Sequence, residues 1–198
     1  MKPWIILGLI GVVLAVLALG CKTSRAGYES ARYKALKTHE AFELRDYRPL
    51  IVAEVPMEGE GDGMNGGFGK LFRFISGGNS KQQKIAMTTP VLVSSSTDKP
   101  TMSFVMPAEY GLGELPKPTD TTVSLREIPA GEYAVYRFSG SRSESQQKEA
   151  SAKLLAWVKE QAWTALSEPR FAYYDPPWTP SFLRRNEALV PVSREAVK

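Results

Sequence analysis

Hydrophobic and polar positions change their period several times along the 198 residues. Ile5 to Leu19 is an unbroken apolar run behind Lys2, and the next charge is Lys22, which is the pattern of an export signal over residues 1–20. Residues 21–32 are short on apolar side chains, contain Gly27 and read as a tether. From Tyr33 the pattern becomes that of a folded body. Phe42 to Tyr47 alternates apolar and polar, Arg48-Pro49 makes a break, and Leu50 to Val55 is β-rich, which predicts two strands in a hairpin. Beyond the acidic, glycine-rich Glu58 to Gly63, the residues Met64, Phe68, Leu71, Phe72 and Ile75 recur at helical spacing until Gly77-Gly78 ends the segment. Ala86 to Ser94 and Thr101 to Met106 then read as two strands, followed by a proline-rich loop from Pro107 to Asp120.

The second half repeats this order. Val123 to Ile128 and Tyr133 to Phe138 predict a hairpin around Pro129-Ala130-Gly131. A helix is predicted from Ser143 to Leu166, with Ser151, Leu154, Leu155, Val158, Ala162, Ala165 and Leu166 on one face and Pro169 as the stop. On that face Trp157 and Trp163 fall well to the side, at the domain edge. Phe171 to Tyr174 and Ala188 to Val192 supply the last strands. The pattern is ββαββ twice. It predicts an α+β fold, a curved sheet or open barrel carrying both helices on its outer side, over residues 33–192, with 193–198 as a tail.

Composition narrows the functional classes. With 43% hydrophobic and 23% charged residues the chain is ordinary globular material. Three of its four net positive charges come from Lys2, Lys22 and Arg25 in the leader, so the nearly neutral body lacks the basic footprint of a nucleic-acid binder. One Cys and one His exclude zinc sites built on several such residues, Cys-His nucleophiles and disulfide scaffolds. Glu58, Glu60 and Asp62 lack the ligand order of a calcium loop. The glycines before the first helix lack the Gly-Lys-Ser/Thr of a phosphate loop. Glu43, Glu54 and Glu127 are the carboxylates an enzyme reading would use, and nothing in the sequence pairs them. Arg184 and Arg185 are read as pairing with Glu187 or with backbone carbonyls to fix the C-terminal turn.

The single cysteine follows Ala18-Leu19-Gly20, which resembles a bacterial lipoprotein signal with Cys21 as the lipidated residue. The other reading is an uncleaved anchor, since the run to Cys21 is nearly long enough to span a bilayer. Either one tethers the domain to a membrane on its extracytoplasmic side.

Four segments in order resemble the SOUL haem-binding family: Phe42-Glu43-Leu44-Arg45-Asp46-Tyr47, Lys84-Ile85-Ala86-Met87-Thr88-Thr89-Pro90-Val91, Met102-Ser103-Phe104-Val105-Met106-Pro107, and Tyr174-Asp175-Pro176-Pro177-Trp178 with Arg184-Arg185-Asn186-Glu187. The resemblance implies a distorted β-barrel of two pseudo-symmetric ββαββ halves with two flanking helices, and a non-catalytic domain that binds haem or a related porphyrin along the first helix. A tetrapyrrole needs a flat apolar slot, cations for its propionates and, optionally, an iron ligand. The candidate binding residues are Met64, Phe68, Lys70, Leu71, Phe72, Arg73 and Phe74. Phe72 and Phe74 flank the helix's apolar centre and serve equally as core or as ligand contact. For Met64, Phe68, Leu71 and Ile75 the core is the favoured reading and ligand contact the alternative. The resemblance implies a basic residue where Arg73 stands. Where some members of that family carry an axial histidine, this chain has Asp46. His39, among Lys37, Thr38 and Glu40, reads as a solvated residue just before the first strand. Met57, Met64, Met87, Met102 and Met106 have ligating sulfur, although strand methionines ordinarily fill cores. No metal ligand follows from the sequence. A binding module for another hydrophobic small molecule is the alternative, since the doubled ββαββ order is also that of effector-binding domains.

Overall fold

The structure, a computed structural model, describes residues 27–57, 63–94 and 100–194, with backbone alone at 63–65. The leader, Cys21 and the acidic loop around Glu60 lie outside the described residues. The strands are β1 (Glu29–Ser30), β2 (Tyr33–His39), β3 (Phe42–Tyr47), β4 (Leu50–Pro56), β5 (Thr88–Thr89), β6 (Val91–Ser94), β7 (Thr101–Val105), β8 (Ser124–Ile128), β9 (Gly131–Phe138), β10 (Thr164–Ala165), β11 (Arg170–Tyr173) and β12 (Asn186–Ser193). The helices are α1 (Gly63–Ile75) and α2 (Glu144–Glu160). Among the described residues no helix is long and apolar enough to cross a membrane.

One antiparallel sheet runs β2-β3-β9-β12-β11-β6-β7-β4-β8, with β10 paired to β12. The two-residue link Arg48-Pro49 joins β3 to β4, and Pro129-Ala130 joins β8 to β9. Each link connects strands from near opposite ends of the sheet, so the sheet must curl until those ends approach. The result is a half-barrel with open edges, β2 and β8, rather than a closed barrel.

Strand alternation sorts side chains to two faces. The outer face carries Leu44, Ala53, Val55, Met102, Phe104, Ala134, Phe171, Ala188 and Val190, and both helices pack there in one continuous core. α1 covers β4 and β7, and α2 covers β9 and β12. The inner face holds a smaller cluster of Val52, Leu92, Val105, Ile128, Ala172 and Tyr174. Every one of these elements and both clusters fall within residues 28–194, so a chain of residues 28–198 contains the whole core and folds without the segment before it.

Several boundaries differ from the sequence expectation. β2 was not foreseen: all its residues are exposed, it pairs with β3 across a bulge at Leu36, and His39 is its last residue, opposite Phe42. Glu29–Ser30, in the stretch read as tether, pair in parallel with Thr88–Thr89. The predicted strand from Ala86 to Ser94 is divided by the cis Thr89–Pro90 bond into β5 and β6.

The second helix is six residues shorter than its predicted end at Leu166. Ala162 adopts φ 56°, its N–H bonds the Lys159 carbonyl, and the Trp163 N–H bonds the Val158 carbonyl. This is the closing pattern that α1 makes at Gly77-Gly78, where φ at Gly77 is 115° and the Gly78 N–H meets the Arg73 carbonyl. At Ala162 the left-handed turn carries a Cβ that glycine would spare. Ala162→Gly is therefore expected to raise stability by about 0.5–1 kcal/mol, read as a higher urea midpoint at unchanged slope. A lower midpoint would refute it.

The buried face of α2 is Ala150, Leu154, Trp157 and Val158, while Leu155 is exposed. Trp157 is thus core and not domain edge. It stacks on Phe42 at 5.2 Å and meets Trp163 edge-on at 5.2 Å.

Candidate functional site

α1 divides its apolar residues between two surfaces. Leu71, Phe74 and Ile75 are buried against the sheet. Gly67 is buried on the same side, where a Cβ would meet a methyl of Val55 at 3.4 Å, an ordinary contact. Phe68 and Phe72 fall outside this stripe of residues 67, 71, 74 and 75. They are 40% and 50% exposed, with rings 12° from parallel and centroids 6.0 Å apart. Phe68 in turn meets Phe104 of β7 edge-on at 5.1 Å, which anchors the exposed pair to the core.

Lys70 is half-buried and Arg73 exposed, on the same stretch of helix. Neither makes an ion pair among the described residues. Asp120, in the long loop before β8, feels both. Its carboxyl is held below the usual range first by the Thr122 hydroxyl and N–H, then by the charges of Lys70 and Arg73. The loop is fastened beside α1 by bonds from the Ser80 N–H to the Lys117 carbonyl and from the Thr119 N–H to the Gly78 carbonyl. Of the candidate residues, Phe68 and Phe72 lie together on one flank of α1, while Lys70 and Arg73, about 100–200° further round the helix, face the loop that carries Asp120. Leu71 and Phe74 lie in the core, and the side chain of Met64 lies outside those described.

These residues suit a tetrapyrrole's face and carboxylates better than its iron. His39 sits on the α2 side of the sheet, away from α1, and Asp46 is exposed on β3. Among the described residues no cluster of His, Cys, Asp and Glu could hold a metal ion.

A second constellation joins segments that the sequence shows only as separate motifs. On the inner face, the fully buried Arg45 donates from Nη1 and Nη2 to the two carboxylate oxygens of Glu187, at 2.7 and 3.0 Å, and from Nε to Glu43 at 2.7 Å. The Tyr174 hydroxyl and the Arg185 guanidinium also donate to Glu187. Burial alone would raise the Glu187 carboxyl, but Arg45 and Arg185 override it and hold it below the usual range. Burial pushes the Tyr47 hydroxyl up to about 12, so it stays protonated. Arg184 binds the Thr179 and Pro177 carbonyls. The Arg184 and Arg185 partners are those expected from the sequence. With every strong acceptor and donor matched, the network is structural.

Comparison with known proteins bears on the site at this point. The model of a family described as SOUL heme-binding protein matches residues 28–191. The chain belongs to that family. Heme-binding protein 1 of Xenopus laevis is 27% identical over 163 residues, which cover 78% of this chain and 85% of that protein. Its counterpart in Xenopus tropicalis is 26% identical over the same length. Among solved structures, a hydrolase from Listeria innocua aligns with TM-score 0.57 at 14% identity, covering 80% of this chain and 94% of that one. The C-terminal domain of EcmrR aligns with TM-score 0.56 at 14% identity, covering 82% and 99%. At such identity these structures speak for the fold alone. Membership in the SOUL family supports haem or tetrapyrrole binding as the family's property.

Proposed function

We propose that this SOUL domain binds haem or a metal-free porphyrin without catalysing a reaction, holding the macrocycle against Phe68 and Phe72 with its propionates toward Lys70 and Arg73. The observation that carries the reading is the exposed, stacked Phe68–Phe72 pair in a chain of this family. Large apolar rings left half in water, on a helix that also carries two cations with no ion pair among the described residues, suit an amphipathic dianion. Haem would bring its redox-active iron to this surface, and the residues of α1 would hold its porphyrin by stacking and charge rather than by an imidazole. A plan of two ββαββ halves is part of this reading, supported by the strand order, in which exchanging β3, β4, β6 and β7 with β8, β9, β11 and β12 returns the same neighbours among those eight strands. We further place the domain outside the cytoplasm, tethered by a lipidated Cys21 or by an uncleaved leader.

The test is a titration of residues 28–198 with hemin and with protoporphyrin, followed by visible absorbance. Both are expected to bind one-to-one with similar affinity. Phe68→Ala with Phe72→Ala should weaken each at least ten-fold, and His39→Ala should change neither. Failure of both ligands to saturate, or a Soret band lost in His39→Ala, would overturn the reading.

A further inference from the structure

The inner face of the half-barrel has an apolar cleft of its own, remote from α1. It is walled by Tyr47, Leu50, Leu92, Ile128, Ala172 and Leu189, with Arg170 also lining it. These residues come from strands spread across the sheet, so the cleft exists only because the sheet curls. Its enclosed space is about 30 Å³, far below the roughly 300–1,000 Å³ of sites for drug-sized ligands. It shares Ala31, Leu50 and Val105 with a wider opening of about 280 Å³ at the end where Arg48 stands.

Arg170 is the anomaly. It is half-buried, yet its guanidinium makes no hydrogen bond or ion pair among the described residues. The nearby acid cannot serve it. Glu54 already accepts Arg126 Nε at Oε1 (2.7 Å), and at Oε2 it accepts Arg126 Nη2 (2.5 Å) and the Ser103 hydroxyl (2.8 Å). Thr101 adds a longer bond to the same oxygen. Among the described residues two arginines thus share one saturated carboxylate, and the Arg170 side chain borders a cleft whose lining is almost wholly apolar. Burial lowers the tendency of Arg170 to stay charged, and Arg126 adds to that, while Glu54 and Tyr133 oppose it. A buried guanidinium remains ionised in spite of this and is stabilised by an acceptor.

We propose that the interior of the half-barrel is a second ligand site, taking an amphipathic monocarboxylate whose carboxylate pairs with Arg170 and whose apolar body lies along Leu92, Ala172 and Leu189. Among the described residues Arg126, Arg170 and Glu54 leave one positive charge, which a single carboxylate would balance, and a planar carboxylate matches the guanidinium fork. Arg170 and Tyr174 are separated by four residues of extended chain, about 13 Å, enough for a medium-length alkyl or aryl body reaching toward the wide opening. The site is independent of the tetrapyrrole surface on α1.

Residues 28–198 titrated calorimetrically with octanoate, octanol, octylamine and acetate test this. Octanoate is expected to bind saturably one-to-one, octanol at least ten-fold more weakly, and octylamine and acetate not measurably. In wild-type protein, octanoate should shift the NMR signals of Leu92, Ala172 and Leu189. Arg170→Met should lose octanoate ten-fold or more, Arg170→Lys should recover part of it, and Arg48→Met at the wide opening should bind normally. Protoporphyrin binding should be the same in all three variants, while Phe68→Ala with Phe72→Ala should retain octanoate, so the two sites can fail separately. No saturable octanoate binding, equal binding of octanol, or shifts confined to α1 would overturn the proposal. So would loss of binding in Arg48→Met with Arg170→Met unaffected.

Discussion

Glu187→Gln is expected to destabilise the domain by about 3–5 kcal/mol, the cost of leaving a buried charge without its partner. Arg45 is fully buried, and Glu187 supplies both oxygens of its bidentate pair. An amide in that place offers one acceptor and no charge, so Arg45 keeps only the more exposed Glu43. With ordinary domains stable by about 5–15 kcal/mol, the variant should melt far earlier in urea. Arg45→Met combined with Glu187→Leu removes both charges and should be closer to wild type than Glu187→Gln alone. A Glu187→Gln protein within about 1 kcal/mol of wild type would show that the pair is not what holds β3 against β12 and β9.

The same carboxylate sets the acid limb of stability. Its folded value lies below its ordinary one because Arg45 and Arg185 outweigh burial, so the unfolded chain takes up the proton first. The contribution is therefore complete above the ordinary glutamate value of about 4.3 and is lost as pH falls through the lower, folded value. Glu54, also held low against burial by Arg126 and Ser103, adds to the slope with the same sign. Glu187→Gln should flatten this limb.

Phe74→Ala is expected to cost about 3–5 kcal/mol, whereas Phe72→Ala, two positions earlier on the same helix, should cost about 1 kcal/mol or less. Phe74 is 1% exposed in the outer core and Phe72 is half in water. The ligand readout should rank them in the opposite order, with folded Phe72→Ala binding protoporphyrin several-fold more weakly and folded Phe74→Ala retaining it. Urea unfolding and absorbance titration on the two proteins settle the matter. Equal stability losses would mean that the two rings do not lie on different surfaces of α1.

This contrast shows where the sequence was readable. The existence and end of α1 followed from apolar spacing and Gly77-Gly78. Its orientation did not, because Gly67 counts as neither apolar nor polar in a periodicity, yet it lies in the buried stripe with Leu71, Phe74 and Ile75. The end of α2 was hidden for a related reason: Ala162 takes the left-handed turn that a glycine would have advertised. β2 was invisible because all its residues are exposed, and what its side chains touch, Tyr47 and Arg45 for Tyr33 and Gln161 and Trp163 for Lys37, leaves no hydrophobic period. The strands of the core were legible from alternation, but the partners of Arg45 were not. Glu187 is 142 residues away, and only the curl of the sheet brings the motifs Phe42–Tyr47 and Arg184–Glu187 together. Those motifs turn out to build the inner-face network, while the surface of α1 that suits a ligand lies outside them.

The order of strands also constrains how the chain is made. The β2–β3 hairpin is complete by Tyr47, but its other edge pairs only with β9. During synthesis that edge waits roughly 80 residues for Gly131–Phe138, about 4–16 s at 5–20 residues per second. β4, α1, β6 and β7 all precede β9 in the chain, so wherever the chain emerges the hairpin is the part of the sheet that joins late. Phe42, Leu44 and Arg45 are then uncovered together, and Lys34 and Lys37 on β2 supply the charge that discourages a neighbouring nascent chain from adding its own strand.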